Sequence, residues 1–392
     1  MIATLLTHYH NKRLPLVLLS LTLALTACGG DSSNTAPAEV SAREGVVVVA
    51  TAASDFSSGA VELVSVADKT SSGSYHPTIS DIGVTTNGTD YYLYERFQAD
   101  RVNKVNLNNP ALFEWTYSAI DGEDGNSSNP YTLVFAQPDK AYLIRYGSDT
   151  AWIVDPAATT ENDFKIGELD LSAYTPDNGV GVPNMSAGTI VDGKLFISLQ
   201  RLDSSFQPTN TAYVAVFDTT SDTEIDTNQD SGDLKGIPLI GKNPMSLTYH
   251  DSLGLLVQNQ GAFTPDYTGG IDVVDVNSYA VEQRVDDTAA TGLIGSTVIV
   301  DASLGYYLSY GGWQNITLRA FNPTTGVVED TAIAGLSAMD LRTLGIGPQG
   351  NLWVADATNS KPGLRVIDPV TETETGFVST SLLPVDLAFA EQ

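Results

Sequence analysis

Residues Leu364-Arg365-Val366-Ile367-Asp368 decide the fold. Apolar side chains alternate along a short β-branched run, and an acidic residue closes it ahead of a polar turn, the pattern of a strand rather than a helix. The same figure recurs at residues 61–68, 102–108, 151–155, 213–218, 271–277 and 316–322, which makes seven copies. Taking Asp68, Asn108, Asp155, Asp218, Asp275, Asn322 and Asp368 as landmarks, the gaps are 40, 47, 63, 57, 47 and 46 residues. Spacing of that size suits the four-stranded blades of a β-propeller.

Working outward, each copy is preceded by a second strand opened by a tight turn. Asp192-Gly193 before residues 194–198 and Gln349-Gly350 before residues 351–354 are examples. Ahead of those lie strands of smaller residues, such as 245–249 and 344–347, which suit the crowded axis of a ring. No stretch keeps a 3.6-residue apolar period for three turns, so a helical fold is excluded. The first copy has a second strand, Val46–Ala52, with no inner strand before it, whereas residues 384–390 form a spare inner strand at the end. Pairing the two would seal a seven-bladed ring and remove both sheet edges. A pair of β-sandwiches is the alternative architecture.

Residues 363–371 and 270–279 resemble the repeat of the YVTN-type β-propeller family, which runs turn, strand, then Val-x-Val-Ile-Asp-x-x-Thr. The nearest approach to the tetrapeptide itself is Leu256-Val257-Gln258-Asn259. The resemblance implies an all-β chain with a seven-bladed β-propeller of four-stranded blades over residues 45–392, the ring closed by the C-terminal strand joining the first blade. It implies a fold and no activity.

The first 27 residues read as an export leader. Lys12 and Arg13 precede an apolar run over residues 14–25, too short for the roughly 20 residues of a bilayer span. Leu25-Thr26-Ala27-Cys28 resembles the lipobox of bacterial lipoproteins, which implies that Cys28, the chain's single cysteine, is lipidated. Gly29 after it implies sorting to the outer membrane. Residues 28–44, rich in Ser, Asn, Thr, Ala and Pro, read as a flexible tether.

Of 392 residues, 19 are basic and 47 acidic; cleavage before Cys28 would leave 17 basic residues and a net charge of −30. That argues against nucleic acid as a partner and against electrostatic docking on anionic lipid, both of which need a basic face. The membrane is reached through the lipid, and the soluble part is expected to be a monomer. The scarce basic residues therefore carry information. Arg96, Arg145 and Arg201 fall near the ends of second strands in three consecutive repeats, with Phe97, Tyr146, Phe206, Phe263, Tyr267, Tyr310 and Trp313 in comparable loops. Guanidinium groups among aromatic faces suit an anionic or aromatic ligand at an axial mouth. The bland alternative is local ion pairing with Asp100, Asp149 and Asp203, which follow the three arginines closely.

Asp226, Asn228, Asp230 and Asp233 alternate oxygen side chains in the manner of a calcium loop, without the glycine and terminal Glu of an EF-hand. Residues 121–126 form a weaker candidate of the same kind. No catalytic residue is assigned: no Gly-x-Ser-x-Gly elbow, phosphate loop or His-Glu-x-x-His is present, and His76 and His250 both read as turn residues. The reading is an outer-membrane lipoprotein whose propeller is a binding module, capturing an anionic or aromatic small molecule for an envelope receptor. One alternative is a metal-dependent lactonase-like hydrolase using Asp81, Glu95, Asp340, Asp356 and Asp386. Another is a platform for protein assembly.

Overall fold

The computed structural model describes residues 45–122, 124–262 and 266–390. The leader over residues 1–27, Cys28 with the tether to residue 44, and Phe263 lie outside the described residues.

Seven antiparallel sheets are arranged as a ring, and inner strands of successive sheets contact one another all the way round. Blade 1 runs outward from Leu383–Ala390 through Val46–Ala52 and Gly59–Ser65 to Thr70–Thr78. Blade 2 is Ile82–Asn87, Asp90–Glu95, Arg101–Asn106 and Trp115–Ser118. Blade 3 is Pro130–Gln137, Lys140–Arg145, Thr150–Val154 and Lys165–Asp170. Blade 4 begins Met185–Val191, Lys194–Leu199 and Tyr213–Asp218, and its outer edge is split into Thr223–Glu224 and Ile237–Pro238. Blade 5 is Pro244–His250, Gly254–Asn259, Gly270–Val274 and Val281–Val285. Blade 6 is Leu293–Asp301, Leu304–Tyr310 and Ile316–Phe321, its outer edge met only by single bridges at Val328 and Met339. Blade 7 is Leu341–Ile346, Leu352–Asp356, Gly363–Asp368 and Thr373–Ser379.

The seam falls where the spare strand predicted it. Val46 pairs with Ala390, Val48 with Ala388 and Ala52 with Leu383, so the last strand is the inner strand of blade 1. Valines at 46–49 are all buried, and the alternation of a strand sends them to two different places. Val46 and Val48 enter the apolar cluster between blades 1 and 2, Val47 and Val49 the one between blades 7 and 1. Seven such clusters exist, one in each junction between neighbouring blades, so the core is distributed around the ring. The axis is tight enough to require small residues. A Cβ on Gly188 would stand 2.8 Å from Val134 Cγ2, and one on Gly345 2.6 Å from Leu387 Cδ1, both on neighbouring inner strands.

The repeated acidic landmark is a turn cap. Asp218, Asp275, Asn322 and Asp368 each accept backbone N–H bonds two and three residues ahead through Oδ1, which bends the third strand into the fourth. In blades 1 and 2 the equivalent residues are Ser65 and Asn106, whose side chains accept from the N–H of Asp68 and Asn108; the two sequence landmarks sit two or three residues late. The long gaps also resolve. Residues 171–184, with a 3₁₀ turn at Ser172–Tyr174, lengthen the link from blade 3 to blade 4, and residues 225–236 split the outer edge of blade 4.

Candidate functional site

One end of the ring is built where the loop after each second strand meets the chain entering the inner strand. The N–H of Arg96 donates to the carbonyl of Asp81 at 3.0 Å, and Tyr146 does the same to Asn129, Gln200 to Asn184, Gln260 to Asn243 and Ala357 to Asp340. These pairs define equivalent positions in five blades. They also show why the three arginines are not equivalent. Arg96 follows its strand by one residue, Arg145 is the last residue of its strand, and Arg201 lies two beyond. A one-residue offset in extended chain turns a side chain to the opposite face.

Arg96 alone of the three reaches the axial cavity. That cavity has a volume of about 770 Å³ and takes residues from all seven inner strands. The Arg96 guanidinium lies 4.0 Å over the ring of Tyr131, with Nε 3.6 Å from Asp81 Oδ1. Across the inner strand of blade 1, Arg342 is held by both oxygens of Asp340, at 2.6 and 2.9 Å, and lies 5.1 Å over Trp313. Asp386, on the strand between them, accepts from the backbone N–H of Val84 and Leu387; burial pushes its carboxyl upward from the usual range, against those bonds and Arg96. Hydroxyl and amide groups of Ser186, Ser246, Ser296, Thr343, Gln258 and Gln260 make up much of the remaining wall, and Tyr310 is at the same wall.

Arg145 is fully buried and is not available to a ligand. It forms an ion pair with Asp124, covers the face of Trp152 at 4.0 Å, and donates to the carbonyl of Ala119, to Ser148 Oγ and to Thr150. Arg201 braces blade 4 by donating to the carbonyls of Tyr174 and Thr211 while covering Tyr213. The three arginines therefore do not share one mouth. Nor do they pair with the acids that follow them in sequence. Asp100 accepts from Ser127, Ser128 and the N–H of Asn129, and Asp203 caps its own turn.

Phe97 and Tyr146, expected beside those arginines, gather at a second cleft on the same end of the ring. It has a volume of about 630 Å³ and lies among loops of blades 2, 3 and 4, with Phe206 on its other side. The two cavities share an aromatic partition: Tyr146 stacks on Tyr131, ring centroids 4.9 Å apart and 11° from parallel. Three asparagines at this end were not singled out from the sequence. Asn129, Asn184 and Asn243 enter successive inner strands with φ between 49° and 59°. Their signal was present as Asn129-Pro130 and Asn243-Pro244, with Asn184 behind Pro183.

The acidic loop of blade 4 is tied by its own hydrogen bonds. Asp226 Oδ1 accepts from the N–H of Asn228, while Asp230 accepts from the Tyr213 hydroxyl. Among the described residues no three His, Cys, Asp or Glu side chains converge as a metal-holding group. In the 121–126 loop, Asp124 instead serves Arg145, and Asp121 receives Lys165. The carboxylates considered for a hydrolase are dispersed as well. Glu95 pairs with Arg101, Asp340 with Arg342 and Asp356 with Arg365, which leaves Asp81 and Asp386 beside Arg96. His76, expected in a turn, lies in the outer strand of blade 1, its ring stacked on Phe113 and burial holding its pKa down.

No protein-family profile and no curated protein sequence matches the chain. Solved structures do. A candidate 6-phosphogluconolactonase from Bacteroides fragilis superposes with a TM-score of 0.59 at 14% identity, over 92% of this chain and 100% of that one. A second candidate 6-phosphogluconolactonase, from Bacteroides uniformis, gives 0.58 at 12% identity over 88% and 99%. AztD from Citrobacter koseri gives 0.51 at 14% identity over 88% and 97%. At such identities these likenesses establish a shared fold: the chain is a seven-bladed β-propeller.

Proposed function

We propose that this propeller is a binding module that captures a small, oxygen-rich anion at its axial mouth. The observation that carries the reading is Arg96, set into a cavity of about 770 Å³ with its guanidinium flat on Tyr131 and hydroxyl and amide groups around it. A hydrogen-bonding wall of Ser, Thr and Gln suits a polyol or sugar acid, and an arginine supplies the charge-assisted contact. The balance of charge supports the same choice. The cavity holds two arginines, Arg342 paired with Asp340 and Arg96 beside Asp81, with a half-buried Asp386 whose carboxyl burial shifts upward, within a chain of net −28. Two arginines in one concavity are a local concentration of the scarce positive charge.

The test is calorimetric titration with 6-phosphogluconate, an anionic polyol suggested by the names of the structural neighbours. Arg96→Ala should weaken binding by about tenfold or more, the value of one charge-assisted pair, and Arg201→Ala should leave it unchanged. Absence of binding to the wild-type protein, or equal binding by Arg96→Ala, would overturn the reading. Steady turnover of the corresponding lactone would replace it with the hydrolase.

The lipid anchor is part of the same proposal. Cys28 ends a lipobox-like segment and would tether the module to the outer membrane. A Cys28→Ser chain should appear in the soluble envelope fraction, whereas continued membrane association would reject the anchor.

A further inference from the structure

We infer that the cleft between blades 2, 3 and 4 is a second binding site, separate from the axial cavity, for an uncharged planar aromatic molecule bearing a carbonyl acceptor. Its aromatic walls come from three different blades. Phe97 and Phe206 are 55% and 54% exposed and both line this one cleft, and Tyr146 lies between them in sequence order as a half-buried third. Exposed aromatic rings facing one concavity are what a flat apolar ligand needs on its faces.

The polar groups point to the ligand's edge. Asn184 is 1% exposed, and its Oδ1 accepts the N–H of Leu202 at 3.2 Å, which fixes the orientation of the amide. Its Nδ2 is then a buried donor at the cleft with no hydrogen-bond partner among the described residues. A buried donor left unmade is costly, so a carbonyl or similar acceptor arriving from the cleft would be rewarded. Asn129 Oδ1, at the equivalent position one blade earlier, is a buried acceptor in the same condition. The two asparagines hold these places because both occupy the left-handed backbone position ahead of an inner strand.

Charge distinguishes this site from the axial one. Arg145 is committed to Asp124, and no cation lines the cleft among the described residues, whereas Asp149 stands at its wall. An anion has nothing to pair with here, and Asp124 is already taken by Arg145, so the ligand carries no negative charge and the uncharged form is the one proposed. The space, about 630 Å³, accommodates a molecule of one or two fused rings.

The experiment is ligand-observed saturation-transfer NMR, followed by titration, with benzamide, nicotinamide, indole-3-carboxamide and coumarin as probes. Indole-3-carboxamide is paired with 3-methylindole, which keeps the ring and lacks the acceptor. The expected result is binding of the carbonyl-bearing probes, with 3-methylindole weaker by about tenfold. Phe97→Ala/Phe206→Ala, which removes only exposed rings, should weaken binding by a similar factor, and Arg96→Ala should not. The inference is overturned if none of the four probes binds, if the double variant binds as well as wild type, or if Arg96→Ala abolishes binding. A loss confined to Arg96→Ala would assign the probes to the axial cavity.

Discussion

Arg145 shows how far a residue's role depends on a single step of register. As the last residue of its strand it points between blades, and its guanidinium is saturated by Asp124, four further oxygen partners and the Trp152 face. Arg96, one residue further out, is left in the cavity. Two substitutions with the same chemistry should therefore have opposite readouts. Arg145→Ala leaves Asp124 buried and unpaired and should lose about 3 kcal/mol of stability in urea unfolding, with ligand affinity at the axial mouth unchanged in the folded protein. Equal stability of Arg145→Ala and wild type would contradict the bracing role. The sequence displays all three arginines as neighbours of strand ends, and the difference among them lies in which residue is the last to pair, a property no local pattern reveals.

At the scale of elements, what was legible is what local chemistry dictates. The third strand of each blade shows because its alternation and its Asp or Asn turn cap are both written within about ten residues. The loops at the mouth did not show, since their backbone partners lie 15 to 17 residues away across a blade and Asp386 meets Val84 across 302. Asp272 illustrates the hidden part. It sits inside the third strand of blade 5, and its Oδ2 accepts the N–H of Ile240 and of Gly241, tying the link from blade 4 to blade 5. Burial pushes its pKa up to about 6, against those two bonds. The folded protein thus keeps a proton that the unfolded chain has already released between about pH 4 and pH 6. Stability from this group is greatest below pH 4 and falls as pH rises to 6, on the order of 2 kcal/mol in all. Asp287, also raised to about 6 chiefly by burial, acts in the same direction. Melting temperatures measured between pH 4.5 and 7 should decline with pH, and Asp272→Asn should flatten the slope; an unchanged slope would show that the carboxyl is not the titrating group.

For the whole molecule, the ring is the unit of stability. Seven junction clusters are each made by two blades, so no blade can bury its own faces alone. Blade 1 differs in being made by chain segments from opposite ends of the sequence, and Val48 and Ala388 are direct cross-strand partners within it. In a chain carrying Cys28→Ser, the pair Val48→Cys/Ala388→Cys should form a disulfide on oxidation and raise the unfolding free energy by about 4 kcal/mol, since it closes a very long loop. Failure of the two cysteines to cross-link would show that the seam is not paired in this register.

The same seam sets the timing of maturation. Val46–Ala52 is among the first strands to emerge from any machine that delivers this chain end-first, yet its inner neighbour is the last strand, Leu383–Ala390. Six blades have all their strands before the final one appears, and blade 1 waits with a valine-rich edge unpaired. Completion of the ring is thus a report that Leu383–Ala390 has arrived: a chain that stops short of Leu383 carries an open, adhesive edge and is marked for aggregation or proteolysis.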